Sequence, residues 1–464
     1  MMLRPWLRSL VLALGLCLLW TCVVTAEPPP YDLRPAAEFE RHEGMIIGWY
    51  RLGLYPAQAD TMWALAVQEL REVTTVYIAV VAQWAVNPIS SFLTSLGIPL
   101  SNVDFLYGVG MESVWIRDYG PQFAYTESGM RVVVEGGYSQ DFPAAIASLW
   151  GLEHYHIPLN LQGGNYMADG ARQVAISSAP VGDPWTWQQT VRAYCDLPLH
   201  IMPPLQGEPC GHCDMYTRFV GPDKVVVSHY MDPYYNANMD AAAAEFEAMG
   251  FEVFRVTNPV PTAVSLPPGA ADDRSLFHLQ PGADLPERGS RSVYRSYTNG
   301  IQCNGLYLLP TYDSPLDQAA LAVFQQALPD HQVVPIRCVA IINYWGALHC
   351  TSSDLPADPL PRPETVTVTA LGSDVQLTWS MVLGAASYEI FRRAEPMGYA
   401  EALDDCVAST PGGSWTDVGA LSGTHHAVYQ VLAVSSDTVR TTMTPRRGAV
   451  AYALETAAGG EVDP

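Results

Sequence analysis

Between about Tyr31 and Asp354, segments with helical spacing run repeatedly into segments with strand character, an order that an α/β layering accommodates most simply. Met62 to Val73 leads into Thr75 to Val81, Asp240 to Gly250 into Phe251 to Val256, and Leu316 to Leu328 into Gln332 to Ile336. Shorter helical stretches occur at Ile89 to Leu96 and Pro143 to Leu152. Units of similar size predict an α/β domain with internal pseudosymmetry, although no close sequence repeat accompanies them. Thr257 to Arg291, rich in Pro, Gly and Asp, reads as a long irregular insertion.

The alternation stops at the stiff, proline-rich stretch Asp354 to Pro363. Beyond it come short β-runs at Val366 to Ala370, Asp374 to Trp379, Ser387 to Arg392 and Ala427 to Val434. The expected organisation is an α/β domain at 31–355, a linker at 356–363, a small β-sandwich at 364–455 and a disordered tail at 456–464. At the other end, Arg4 and Arg8 precede the apolar run Leu10 to Val24, and Val24-Thr25-Ala26 before Glu27 has the form of a cleavage site. Residues 1–26 are therefore expected to be an export signal, with an uncleaved anchor as the alternative, and the protein to be secreted, periplasmic or cell-surface.

Composition narrows the partners. With 49% apolar and 10% aromatic residues among 464, the chain is globular. Its net charge of −23 disfavours nucleic acid and anionic membranes. Seven cysteines follow the signal segment, so in an oxidising compartment at least one thiol stays unpaired or bridges to another chain.

Three motifs carry chemistry: Trp115-Ile116-Arg117-Asp118-Tyr119-Gly120-Pro121, Gly211-His212-Cys213-Asp214 and Gly346-Ala347-Leu348-His349-Cys350. A thiol, an imidazole and two carboxylates suit a planar cation attacked at carbon, namely a guanidinium. Guanidinium stays protonated at physiological pH and is a poor electrophile. Paired carboxylates can grip its two edges, a thiolate can attack the central carbon, and a histidine can relay protons. Cys350, His212, Asp118 and Asp214 are candidates for these roles. On an extended segment His212 and Asp214 would share a face. Arg117 suits a structural partner for an acid, and Trp115 the wall of an apolar slot. Cys210-Gly211-His212-Cys213 also has the Cys-x-x-Cys spacing of redox and zinc sites, but Pro209 precedes it and no second such pair follows; a local disulfide stays open.

Together these motifs resemble the agmatine deiminase and bacterial peptidylarginine deiminase family of the pentein superfamily, from about Pro35 to Pro356. The resemblance includes Pro35-Ala36-Ala37-Glu38-Phe39-Glu40, Gln162-Gly163-Gly164-Asn165, Ser296-Tyr297-Thr298-Asn299 and His349-Cys350. It implies a five-bladed propeller of ββαβ units. It makes Cys350 the nucleophile, His212 the acid/base, Asp118 and Asp214 the guanidinium clamp, Asn299 an orienter of the histidine or substrate, and Trp115 and Asn165 parts of the substrate pocket. No metal or organic cofactor is implied. The β-domain, with Trp379 and Tyr429, resembles a fibronectin type III sandwich.

The chain also departs from the family. Gln162 stands where a glutamate is usual, Cys210 where an acidic or polar residue is typical, and Gly137 to Phe142 lacks the arginines that would hold a C-terminal carboxylate. The expected activity is conversion of a guanidinium to a ureido group and ammonia through a Cys-bound thiouronium, on agmatine, arginine or protein arginine. Amidinotransfer on the same residues and a non-catalytic binding role are the alternatives.

Overall fold

The computed structural model describes residues 28–29, 33–126, 129–170, 174–177, 183–195, 197–265, 290–357, 363, 365–393, 405–420 and 428–435. The expected signal at 1–26, the tail at 456–464 and most of the linker lie outside the described residues.

Five sheets share one connectivity, in which an antiparallel pair is followed by a helix and then by a strand parallel to the second. Thr217–Gly221, Lys224–His229 and Glu252–Thr257 form one around helix Pro233–Ala248. Ile301–Cys303, Leu306–Thr311 and Gln332–Arg337 form another with helix Asp317–Ala327. Met167–Ala168, Val174–Ser177 and Leu199–Met202 do so with helix Pro184–Cys195, and Gln122–Tyr125, Arg131–Glu135 and Glu153–His156 with helix Asp141–Trp150. The fifth is assembled from both ends of the domain. Ser352–Pro356 pairs antiparallel with His42–Gly48, which lies parallel to Thr75–Ala79 across helix Ala57–Leu70.

Apolar spacing explains the packing. Helix Ala57–Leu70 buries Met62, Trp63, Ala66, Val67 and Leu70, one stripe at intervals of three and four. In Pro233–Ala248, the Asp232 carboxylate caps the Tyr234 N–H at 2.9 Å and Pro233 occupies the first turn, so this helix starts seven residues earlier than its apolar spacing alone suggests. The expected alternation is present, and the helix at Pro184–Cys195 adds a unit that sequence spacing does not reveal.

Two expectations need correction. Thr262–Ser265 and Ser290–Val293 pair antiparallel, so the insertion begins and ends as a β-ribbon; residues 266–289 lie outside the described residues. The linker begins later than residue 356. Pro356 pairs with His42, the Ala357 N–H donates to the Arg41 carbonyl, and Tyr125 Oη donates to the Ala357 carbonyl at 2.8 Å. Proline cannot donate a ladder bond, but here it terminates an edge-type pairing, where that costs nothing.

In the C-terminal part, Val366–Leu371, Asp374–Trp379 and Ser414–Asp417 form one antiparallel sheet, and Asp405–Thr410, Ala385–Arg393 and Val428–Ser435 another. Leu377 and Trp379 of the first share a buried cluster with Tyr388, Ile390, Tyr429 and Val431 of the second.

Candidate active site

The chemical residues come from the five sheets in turn, each from the segment that enters the sheet's first strand. Asp118 lies in the short helix Ile116–Tyr119 ahead of Gln122, and Gln162 to Asn165 in a turn ahead of Met167. His212 and Asp214 precede Thr217, Asn299 precedes Ile301, and Cys350 precedes Ser352. His212 is extended, but Cys213–Met215 is a single 3-10 turn. Asp214 thus reaches the site from a turn, not from a strand face as the two-residue spacing suggested; regular pairing starts only at Thr217.

Cys350 Sγ accepts a hydrogen bond from Asn299 Nδ2 at 3.1 Å and donates to Asp214 Oδ2 at 3.5 Å. Asn299 Oδ1 accepts the Ala347 N–H at 3.0 Å and the Cys350 N–H at 3.4 Å. Asn299 therefore clamps the loop that presents the thiol and does not orient the histidine. His212 Nε2 stands 2.8 Å from Gln162 Oε1, so Nε2 carries the proton and Nδ1 keeps a lone pair. Nδ1 lies 3.6 Å from Asp118 Oδ1, beyond hydrogen-bond distance. Burial lowers the pKa of His212 and so favours the neutral ring.

Two glycines are fixed by contact. A Cβ on Gly346 would come within 2.3 Å of the Trp115 ring and 2.8 Å of Cys350 Cβ, and one on Gly164 within 2.5 Å of His212 Nδ1. Trp115 is thus a buried wall directly beneath the loop that carries Cys350. Asn165 is buried in the same turn as Gly164, with its backbone N–H on the Gln162 carbonyl at 2.8 Å.

The site is strongly acidic. Burial, with Asp214 adding, raises the Asp118 carboxyl well above its ordinary range, and burial followed by the charges of Asp214 and Asp118 does the same to the Cys350 thiol. One oxygen of Asp118 and one of Asp214 are buried without a hydrogen-bond partner, in a place where unpaired polar atoms are costly. Glu208, which motif reading passed over, is a third such acid. Its Oε2 accepts the Gly211 N–H at 2.6 Å, Oε1 is unpartnered, and burial with the Asp214 charge pushes its pKa up to about 7.

Behind these acids lies a paired network. Arg117 bridges Glu38 at 2.9 Å and Asp354 at 2.8 Å, while Arg218 meets the other Glu38 oxygen at 2.8 Å. His42 contacts Asp354 at 3.3 Å. His349 places Nδ1 2.8 Å from Asp214 Oδ2 and Nε2 2.9 Å from Glu38. Burial alone would raise the pKa of Glu38, but Arg218, His349 and Arg117 together hold it near about 2. Glu38, His349 and Asp354 lie close enough to share a cation, but two guanidinium groups already neutralise the acids, a poor setting for a metal. The sequence clues to this network were the quoted Glu38 motif and the residue beside Cys350.

None of the seven cysteines from Cys195 to Cys406 is in a disulfide, so Cys210 and Cys213 form no local one; Cys213 Sγ instead donates to the Gly164 carbonyl at 3.5 Å. Among the described residues no helix is long and apolar enough to cross a membrane.

The family model for Porphyromonas-type peptidyl-arginine deiminase matches residues 201–356, which span His212, Asp214, Asn299 and Cys350. A Selenomonas ruminantium protein named "Putative agmatine deiminase" is 25% identical over 360 residues, covering 69% of this chain and 95% of its own. In fold the chain is similar to the agmatine deiminase of Enterococcus faecalis, with a TM-score of 0.57 at 17% identity over 72% of this chain and 100% of that one. A C. jejuni agmatine deiminase gives the same TM-score at 16% identity, over 71% and 98%.

Proposed function

Because the chain belongs to the family of agmatine deiminases and Porphyromonas-type peptidylarginine deiminases, we propose that it is a guanidine iminohydrolase, a hydrolase of C–N bonds in linear amidines. The observation that carries this reading is the pair of unpartnered carboxylate oxygens on Asp118 and Asp214 beside a hydrogen-bonded thiol. A flat cation with N–H donors on two edges satisfies both acids and offers its carbon to Cys350 Sγ.

In this mechanism the bound cation offsets the carboxylate charge that keeps the thiol protonated, and sulfur attacks the guanidinium carbon. His212, neutral with a free Nδ1, handles protons for the departing ammonia and then for the water that resolves the thiouronium. Asn299 holds the sulfur in place throughout. The ββαβ units would close as a five-bladed propeller around this centre, and the C-terminal sheets would form a fibronectin type III-like sandwich serving as a spacer.

The substrate class follows from charge. Asp118, Asp214 and Glu208 face the site, and Gly137 to Phe142 supplies no arginine for a carboxylate. Both features favour an aminoalkyl guanidine such as agmatine over a C-terminal arginine. The Arg4 to Ala26 segment supports export of the enzyme.

A ureido-group assay on the mature protein, with agmatine, arginine and an arginine-containing peptide in parallel, tests the reading. Agmatine should give product, and Cys350→Ala should lose at least about 10⁴-fold in rate while keeping its fold. Near-wild-type activity in the mutant, or no product from any of the three with folded, reduced protein, would rule the assignment out in favour of amidinotransfer or binding.

A further inference from the structure

Two histidines meet at this site, and their partners differ. His349 donates from both ring nitrogens, Nδ1 to Asp214 Oδ2 at 2.8 Å and Nε2 to Glu38 at 2.9 Å, and so holds a proton on each. His212 has an amide for its partner. Its Nε2 donates to Gln162 Oε1 at 2.8 Å, while Nδ1 stands 3.6 Å from Asp118 Oδ1 and keeps its lone pair. An amide oxygen accepts a hydrogen bond as a carboxylate does, but it brings no negative charge to hold a second proton on the ring. Both side chains belong to buried residues, which leaves solvent little part in that choice.

The remaining groups around His212 pull in both directions. Asp118 faces it from helix Ile116–Tyr119, Asp214 and Glu208 from its own segment, and His349 and Cys350 from the loop ahead of Ser352. Burial lowers the pKa of His212, Asp214 opposes that, and His349 adds to it. A Cβ on Gly164 would lie 2.5 Å from His212 Nδ1 and 3.2 Å from Asp214 Oδ2, the oxygen to which Cys350 donates, so Nδ1 opens on the side of the thiol.

We propose that Gln162 is a positioning residue that keeps His212 uncharged at rest with Nδ1 as its working nitrogen, and that the reaction therefore runs at lower pH than it would with a carboxylate in this place. The inference rests on the deiminase reading for the step it serves; the state of the resting ring does not. In that step the S–H proton passes to His212 Nδ1 as sulfur forms its bond to the guanidinium carbon. The C–N bond then breaks with its electron pair on nitrogen, and Nδ1 gives the proton to that nitrogen, which leaves as ammonia. One proton is taken and one given, so the thiouronium keeps the positive charge of the substrate and the ring is neutral again for the water that follows. A ring already protonated at Nδ1 cannot begin this sequence.

Gln162→Glu keeps the acceptor and adds the charge. With agmatine, the acid limb of kcat against pH should move up by at least about one pH unit, with KM above the limb within about threefold of wild type. An unmoved limb would overturn the proposal. Long-range 15N–1H NMR of the imidazole, assigned by the signal lost in His212→Gln, reads the ring without turnover. Wild type should show the Nε2–H tautomer at neutral pH, and His212 should titrate at least about one unit higher in Gln162→Glu. An Nδ1–H tautomer, or a doubly protonated ring at neutral pH, would overturn the proposal on wild type alone, whether or not the variant folds. If wild type makes no product from any guanidine yet shows the Nε2–H tautomer, and the variant shows the shift, the deiminase reading falls and the hold of Gln162 on His212 stands.

Discussion

The two sides of the Cys350 loop treat charge in opposite ways. Toward the substrate, Asp118, Asp214 and Glu208 crowd together, and each leaves a buried oxygen unsatisfied. Behind the loop, Glu38 and Asp354 are each matched by guanidinium and imidazole groups. Desolvation is costly on both sides. In the rear it is offset inside the fold, whereas in front the offset is left for a ligand. Around the Cys350 loop, the unsatisfied carboxylate oxygens thus lie on the front and the paired acids behind.

That contrast can be broken most forcefully from the rear. Arg117→Met removes a guanidinium partner from two buried acids, leaving Asp354 with His42 alone, and should destabilise the fold by roughly 3–5 kcal/mol, measured as a drop in urea midpoint. A small change would mean that the pairs are not what holds the loop. Asp118→Asn tests the front. We expect kcat/KM to fall by about 10²-fold, near 3 kcal/mol of transition-state binding, while Tm stays level or rises. If Tm instead drops as far as in the arginine variant, the distinction between the faces fails. The smallest effect belongs to Glu208. Its folded pKa of about 7 lies above the ordinary value of 4.5, so it contributes stability below about pH 4.5 that is lost as pH rises through 7. Glu208→Gln should raise stability by about 1–3 kcal/mol at pH 8 and change it little at pH 5, as thermal melts at the two pH values would show.

Much of the front face was legible in the sequence because its residues sit in short local motifs. Asp118, His212, Asp214 and Cys350 each lie just before a strand, so turn chemistry and β-runs frame them. The rear face was not legible. Glu38 and His349 are 311 residues apart in the chain and meet only through the fold, and no spacing rule connects them. Asn299 was expected to orient the histidine or the substrate; its hydrogen bonds to Cys350 and Ala347 depend on how two sheets meet, which no local motif records. Glu208 lacked a motif of its own; its burial and its neighbours, not its sequence context, mark it. The helix Pro184–Cys195 escaped because its sheet opens with a two-residue strand, too short to show a period.

The fifth sheet has a further consequence. Cys350 is followed within two residues by Ser352–Pro356, which pairs with His42–Gly48 near the opposite end of the same domain. During synthesis every other candidate site residue is made before the strand that seats Cys350, and that strand can dock only after the domain is complete. A chain stalled anywhere earlier can form four of its sheets and still not hold Cys350 in place. Pairing of the domain's two ends is thus the last step of its assembly, and under the proposed mechanism activity would report that this step is complete.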